Sequence, residues 1–291
     1  FKFSCRGNEE SFPLQQWGEG CNMKKRLTTI LAVLVFITGL SLLLYPTISN
    51  YFNSLHQSKV VSHYSDALEK MDEAQKQAAI DAAVQYNTLL VSNDARFTPS
   101  EEETRLYNSL LNPDDSGVMG YITIPKIRCK LAIYHSVDDS VLQVGAGHLE
   151  GSSLPVGGKG THCVLSGHRG LPSAKLFTEL DRLKKGDTFS LHVYGKVCTY
   201  RVDQIETVNP EDYQLLQIEE DKDLCTLVTC TPYGINTQRL LVRGHRIANS
   251  SGDTDVSSDA AQIRPLLVFA CVGLVLVCIV LLIRKRKKKG K

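Results

Sequence analysis

No two cysteines in this 291-residue chain stand in the C-x-x-C spacing, and no histidine–cysteine cluster accompanies them. The usual sequence signature of a zinc site is therefore missing. No internal repeat runs through the chain. Compositional bias is lacking too: 43% of residues are hydrophobic and 22% charged, which sets aside a disordered or fibrous protein and suits one globular domain with accessory segments. Positive charge is scarce where a nucleic-acid binder would need it. The formal net charge is +2, but the stretch before Leu27 contributes five Lys/Arg against three Glu, and the tail from Arg284 contributes seven Lys/Arg and no acid. Residues 27–283 are left at −7, with no electrostatic footprint for nucleic acid.

Charge is absent altogether from two apolar runs, residues 28–45 and 266–283, each 18 residues long. As helices rising about 1.5 Å per residue they reach roughly 27 Å, close to the hydrocarbon thickness of a bilayer. Lys24, Lys25 and Arg26 precede the first, and Arg284–Lys291 follow the second. Basic flanks stay cytoplasmic, so the expectation is a two-pass protein with both termini cytoplasmic and residues from about 46 to 265 outside. The competing reading of the first run is a cleaved signal peptide, although no small-x-small cleavage site follows it. Met23 is a natural start, which makes residues 1–22 either an over-extended reading frame or a short cytosolic tail. Five of the nine cysteines (Cys129, Cys163, Cys198, Cys225 and Cys230) fall in the external part. That number is odd, so at least one is a free thiol or pairs between chains.

Hydrophobic periodicity predicts a long helix over residues 54–92, from Tyr64, Leu68, Met71, Ala78, Ala82, Tyr86 and Leu89 at three- and four-residue steps. A break at 93–100 and a short helix over 101–111, stopped by Asn112-Pro113, follow. From Gly120 the period changes to two. Strands are expected at 121–124, 130–134, 161–166, 188–194, 197–208, 224–230 and 238–247, separated by Gly, Pro and Asp turns. One helix interrupts them, with Ser173 as its cap, Leu176, Phe177, Leu180 and Leu183 as its buried stripe, and Gly186 at its end. The fold class is mainly β: a closed or nearly closed barrel of seven or eight strands with N-terminal helices, flanked by the two transmembrane helices.

Cys230 closes the strand Leu-Cys-Thr-Leu-Val-Thr-Cys. A short turn and the returning strand from Gln238 place Arg239 beside it, and a guanidinium there lowers a thiol pKa or holds an oxyanion. The alternative for Arg239 is a solvated edge charge. A thiol nucleophile also needs a proton partner. His168, between glycines in Ser166-Gly167-His168-Arg169-Gly170, leaves a strand for a loop, where a side chain projects into a cleft. His148 and His245 also stand near glycine, so spacing alone does not choose among them.

Thr226-Leu227-Val228-Thr229-Cys230 resembles the TLxTC signature of sortases, the membrane-bound cysteine transpeptidases of Gram-positive bacteria. The loop carrying His168 resembles their catalytic-histidine loop, and Arg239 falls where their arginine belongs. Cys230-Thr231-Pro232-Tyr233-Gly234, Leu240-Leu241-Val242-Arg243-Gly244 and the run Gly145–Gly151 are similar to the class C, pilin-polymerising group, as is a C-terminal span with a basic tail. That resemblance implies Cys230, His168 and Arg239 as catalytic residues, Thr229 and His148 as substrate-binding or supporting residues, and no metal or cofactor. It also implies a lid in the loop 93–100, where the group carries Asp-Pro-aromatic. This chain has Asp94 and Phe97 but not the Asp-Pro step, so a plain inter-helix turn competes with a lid in which Phe97 covers the cleft and Asp94 pairs with Arg239.

The implied reaction is attack of Cys230 on the Thr–Gly carbonyl of an LPxTG-like sorting signal, followed by transfer of the acyl group to a lysine of a pilin subunit. The alternatives are anchoring of surface proteins to a cell-wall amine, a cysteine hydrolase, and an inactive scaffold. The domain plan that goes with it is a leader (1–22), basic flank and first span (23–45), external helices (46–112), catalytic barrel (113–248), polar linker (249–265), second span (266–283) and basic tail (284–291).

Overall fold

The structure, a computed structural model, describes residues 15–249 and residue 273. All of the second apolar run except residue 273 therefore lies outside the described residues. The chain divides into two units, residues 1–47 and 48–291. The first contains most of the apolar part of α1 (Gln15–Glu69). This helix is long and apolar enough to cross a membrane, and none of its apolar window is buried. Leu27, Ile30, Leu31, Leu34 and Val35 all present their side chains outward, as a lipid-facing helix does.

In the second unit, the single helix expected over 54–92 is two helices. α1 stops at Glu69, and α2 (Glu73–Val91) restarts from a capping box. The Asp72 carboxylate accepts from Gln75 N at 2.7 Å, and Gln75 Oε1 accepts from Asp72 N at 2.9 Å. A reciprocal cap satisfies two orphan donors and fixes a new helix start, which outweighs the continuous apolar period. The restart also turns the buried stripe of α2 onto Ala83, Tyr86, Asn87 and Leu90, leaving Leu89 exposed. A second capping box, Ser100 with Glu103, opens α3 (Glu101–Ser109). Polar pins tie these helices to the barrel. The Tyr64 hydroxyl donates to Met119 O at 2.8 Å, and the Asn87 amide exchanges two hydrogen bonds with the backbone of Leu154.

The barrel has eight strands: β1 (Val118–Ile124), β2 (Cys129–His135), β3 (Ala146–His148), β4 (Thr161–Ser166), β5 (Thr188–Val193), β6 (Lys196–Val208), β7 (Asp223–Thr231) and β8 (Gln238–Ile247). They close in the order β1-β2-β3-β4-β7-β8-β6-β5. The β2–β3 and β4–β7 ladders are parallel and the others antiparallel. Seven strands match the period-two reading. The eighth, β3, is three residues long, with Gly145 before it and Gly147 inside it, and carries too little alternation to register as a strand.

The helix expected after Ser173 is absent. Residues 173–186 form turns with one 3-10 turn, Leu180–Arg182. Leu176 has φ +39°, and Phe177 N donates to His168 O at 3.2 Å instead of to a carbonyl four residues back. Leu176, Phe177, Leu180 and Leu183 are nonetheless all buried. The apolar stripe was real, but a chain folded back on the His168 loop buries it as well as a helix would.

Candidate active site

Alternation along β7 divides its side chains. Cys225, Leu227 and Thr229 are buried within the barrel, while Val228 and Cys230 are partly exposed on the outer face. In the antiparallel β7–β8 ladder Cys230 is the register partner of Arg239. On the other side of β7, the parallel β4–β7 ladder pairs Ser166 with Val228 and continues past the end of β4. Gly167 N donates to Val228 O at 3.0 Å, and the Thr229 hydroxyl donates to Gly167 O at 2.7 Å. His168, the next residue, is thereby brought alongside Thr229 and Cys230. Three adjacent strands thus deliver His168, Cys230 and Arg239 to one end of the barrel, each partly exposed. The Arg239 guanidinium donates to the carbonyls of Asn236 and Gln238 at 3.3 and 3.2 Å, which holds a cation over the turn after Cys230.

The two glycines around His168 have spatial reasons. A Cβ on Gly167 would stand 2.6 Å from the Phe177 ring, and one on Gly170 (φ +81°) would stand 2.9 Å from the Tyr233 ring. Between them Arg169, which the sequence reading passed over, bridges the loop to β7. Its Nη1 donates to the hydroxyl of Thr231 at 3.2 Å, its Nη2 pairs with Asp181, and its guanidinium lies over the Tyr233 ring. Nothing in a lone arginine beside a histidine distinguishes a buried bridge from a solvated charge. Only its contacts with Thr231, Asp181 and Tyr233 reveal it.

Further along the outer face, Val164, Leu216 and Leu241 form a small buried apolar cluster flanked by Phe97, Leu149, Val208, Leu215 and Val228. A shallow, open depression adjoins it, lined by Gln204, Glu206, Leu215, Thr226, Leu241 and Arg243. Thr226, Leu241 and Arg243 lie on the same strand faces as Cys230 and Arg239. The face therefore offers an apolar strip leading to a thiol, a cation and an imidazole.

The remaining residues singled out by sequence separate. Thr229 is buried and supports the His168 loop through its hydroxyl. His148 is fully buried, with Nδ1 at 3.0 Å from the Tyr107 hydroxyl and Nε2 at 2.9 Å from Ser153 O. It pins α3 to β3 and is not at the surface where a substrate would lie. Asp94 does not pair with Arg239: it is exposed, on a turn in which the Asn93 side chain accepts from Ala95 N. The residue that anchors this loop is Arg96. It is buried, and its Nη2 donates to Leu216 O at 3.1 Å and Gln217 Oε1 at 3.0 Å. Phe97 packs on Tyr213, ring centroids 5.2 Å apart. Among the described residues no group of three or more His, Cys, Asp or Glu is arranged to hold a metal ion.

A family model described as the Sortase domain matches residues 122–247. The crystal structure of sortase C1 from Streptococcus agalactiae is 50% identical to this chain, covers 66% of it and is itself covered in full, with a TM-score of 0.65. Streptococcus pneumoniae sortase C is 40% identical, with 66% of this chain and 98% of that chain covered and a TM-score of 0.59. A curated relative, sortase A of Bacillus anthracis, is 27% identical over 228 residues, which are 78% of this chain and 98% of the relative.

Proposed function

The chain belongs to the sortase family of cysteine transpeptidases, with class C enzymes among its structural neighbours, and we propose that it is a pilin polymerase. Cys230 attacks the Thr–Gly carbonyl of an LPxTG-like signal, and the Gly amine leaves with a proton from His168. Arg239 holds the oxyanion and orients the peptide. A lysine of a second pilin subunit then resolves the thioacyl-enzyme. One amide is exchanged for another, and passing through a thioester splits that exchange into two acyl transfers, each easier than the direct reaction. The observation that carries the reading is the β4–β7–β8 register, which sets His168, Cys230 and Arg239 at one end of an apolar strip suited to the Leu-Pro part of the signal.

The acceptor is the finer part of the proposal. A free lysine has a pKa of about 10.4 and is almost fully protonated near neutral pH. It becomes nucleophilic when docking desolvates the ammonium or when neutral His168 takes its proton. The 50% identity to a sortase C1 over that enzyme's whole length supports a protein acceptor. The full chain in detergent, mixed with a pilin subunit bearing an LPxTG-like signal, is expected to give isopeptide-linked multimers by mass spectrometry. The multimers should vanish when one subunit lysine is replaced. Hydrolysed subunit or small-amine adducts alone would replace polymerisation with hydrolysis or anchoring.

The same reading places the barrel outside the cell on two spans, supported by the apolar α1 and by the basic residues at 24–26 and 284–291. A cysteine introduced at Ser251 should react with an impermeant maleimide on intact protoplasts; labelling only after lysis would reverse the topology.

A further inference from the structure

Fourteen residues, 209–222, connect β6 to β7, and their only regular element is the 3-10 turn Gln214–Leu216. Long connections of this kind keep one conformation only where the body of the protein holds them. This connection brings Leu215 and Leu216 onto the apolar strip, so what fixes it also fixes one wall of the groove.

The hold comes from a histidine outside the catalytic set. His162 stands on β4, six residues before His168, and is fully buried. Its Nδ1 lies 2.8 Å from Gln217 O and its Nε2 2.8 Å from the Thr226 hydroxyl. A carbonyl only accepts, so Nδ1 carries the proton, and Nε2 of the neutral ring accepts from Thr226. Burial favours that neutral form. One ring thus joins β4, β7 and the residue that follows the turn. From the other side Arg96 donates to Leu216 O and Gln217 Oε1, and a looser ion pair joins Arg243 to Glu219 at 3.6 Å.

We infer that His162 is a positioning residue for signal binding: through the main chain of Gln217 it clamps the β6–β7 connection as the wall of the groove leading to Cys230. This rests on reading the apolar strip as the signal groove. Thr226 lies four strand residues before Cys230, a distance of about 13 Å at roughly 3.3 Å per residue. An extended peptide of four residues spans about the same length. The clamp therefore acts on the part of the signal upstream of the scissile bond, at a distance from the reacting atoms. Its loss is expected in KM and not in the chemical step.

Two substitutions split the ring's hydrogen bonds. His162→Asn retains a donor near the Nδ1 position and loses the Thr226 bond. His162→Gln reaches toward Thr226 and loses the Gln217 bond. With the full chain and an LPxTG-like peptide, KM should rise about tenfold in His162→Gln and less than about threefold in His162→Asn, with kcat held within about twofold in both. Alkylation of Cys230 by a small haloacetamide should be unchanged. Amide hydrogen exchange over residues 213–219 should quicken in the Gln variant and not in the Asn variant. Should His162→Gln fail to fold, His162→Leu, which has no donor, replaces it with the same expectation. Equal KM values in the two variants, a loss confined to kcat, or unchanged exchange at 213–219 would each overturn the assignment. A wild-type enzyme that leaves the peptide uncut would instead sink the groove reading, and the exchange data would still decide whether the clamp exists.

Discussion

Cys230→Ala is expected to yield no thioacyl-enzyme and no transferred product, a loss on the order of 10⁴-fold or more. Cys163→Ala and Cys198→Ala should keep most of the turnover. The contrast follows from position. Of the five cysteines between residues 46 and 265, Cys129, Cys163, Cys198 and Cys225 are buried in the barrel and Cys230 alone is partly exposed. It alone has an arginine as its ladder partner and the His168 loop beside it. A thiol nucleophile has no substitute in the site, because Thr229 faces inward with its hydroxyl committed to Gly167 O. The measurement is mass spectrometry of the enzyme after incubation with a signal peptide and no acceptor. A peptide adduct on Cys230→Ala would end the proposed mechanism.

Acid should destabilise the barrel within a defined window. Burial pushes the His162 imidazole down to about 4, and burial followed by the charge of Lys130 pushes His192 down to about 4. Their unfolded values lie near 6.5. Between the two limits the unfolded chain binds protons that the folded chain refuses, so stability rises with pH through the window. It is fully present above about 6.5 and is lost progressively as pH falls toward 4. His162 alone accounts for roughly 3 kcal/mol across that range. Urea unfolding at a series of pH values should show this slope, and His162→Gln should reduce it by up to about one bound proton. Identical slopes for the two proteins would show that the ring is solvated and protonated in the folded state.

The pairing of Cys230 with Arg239 was legible because a short turn between two strands forces antiparallel register, and register alone puts Arg239 opposite Cys230. His168 was less so. Glycines mark a strand exit but not its neighbour, and the parallel β4–β7 pairing that sets it beside Cys230 joins segments 62 residues apart. No local signal encodes such a pairing, and the family motifs supplied it. Misreadings came where a periodic stripe served another geometry. The leucines after Ser173 are buried without a helix, and the helix after residue 54 is cut by a cap at Asp72. The loop 93–100 shows the limit for charges. An exposed acid and a buried arginine two residues apart are indistinguishable until the partner carbonyls of residues 216 and 217 are in place.

β8 lies between β7 and β6 and is the last strand among the described residues. Without its ten residues both neighbours would be open edges, and Cys230 would lose Arg239, its ladder partner. Closure of the cylinder and completion of the charge arrangement are therefore one event, set by the last barrel strand to emerge during synthesis. On the proposed mechanism, a nascent chain that bears the thiol and the imidazole but not β8 lacks the group that holds the oxyanion, so acyl transfer waits for the barrel to close.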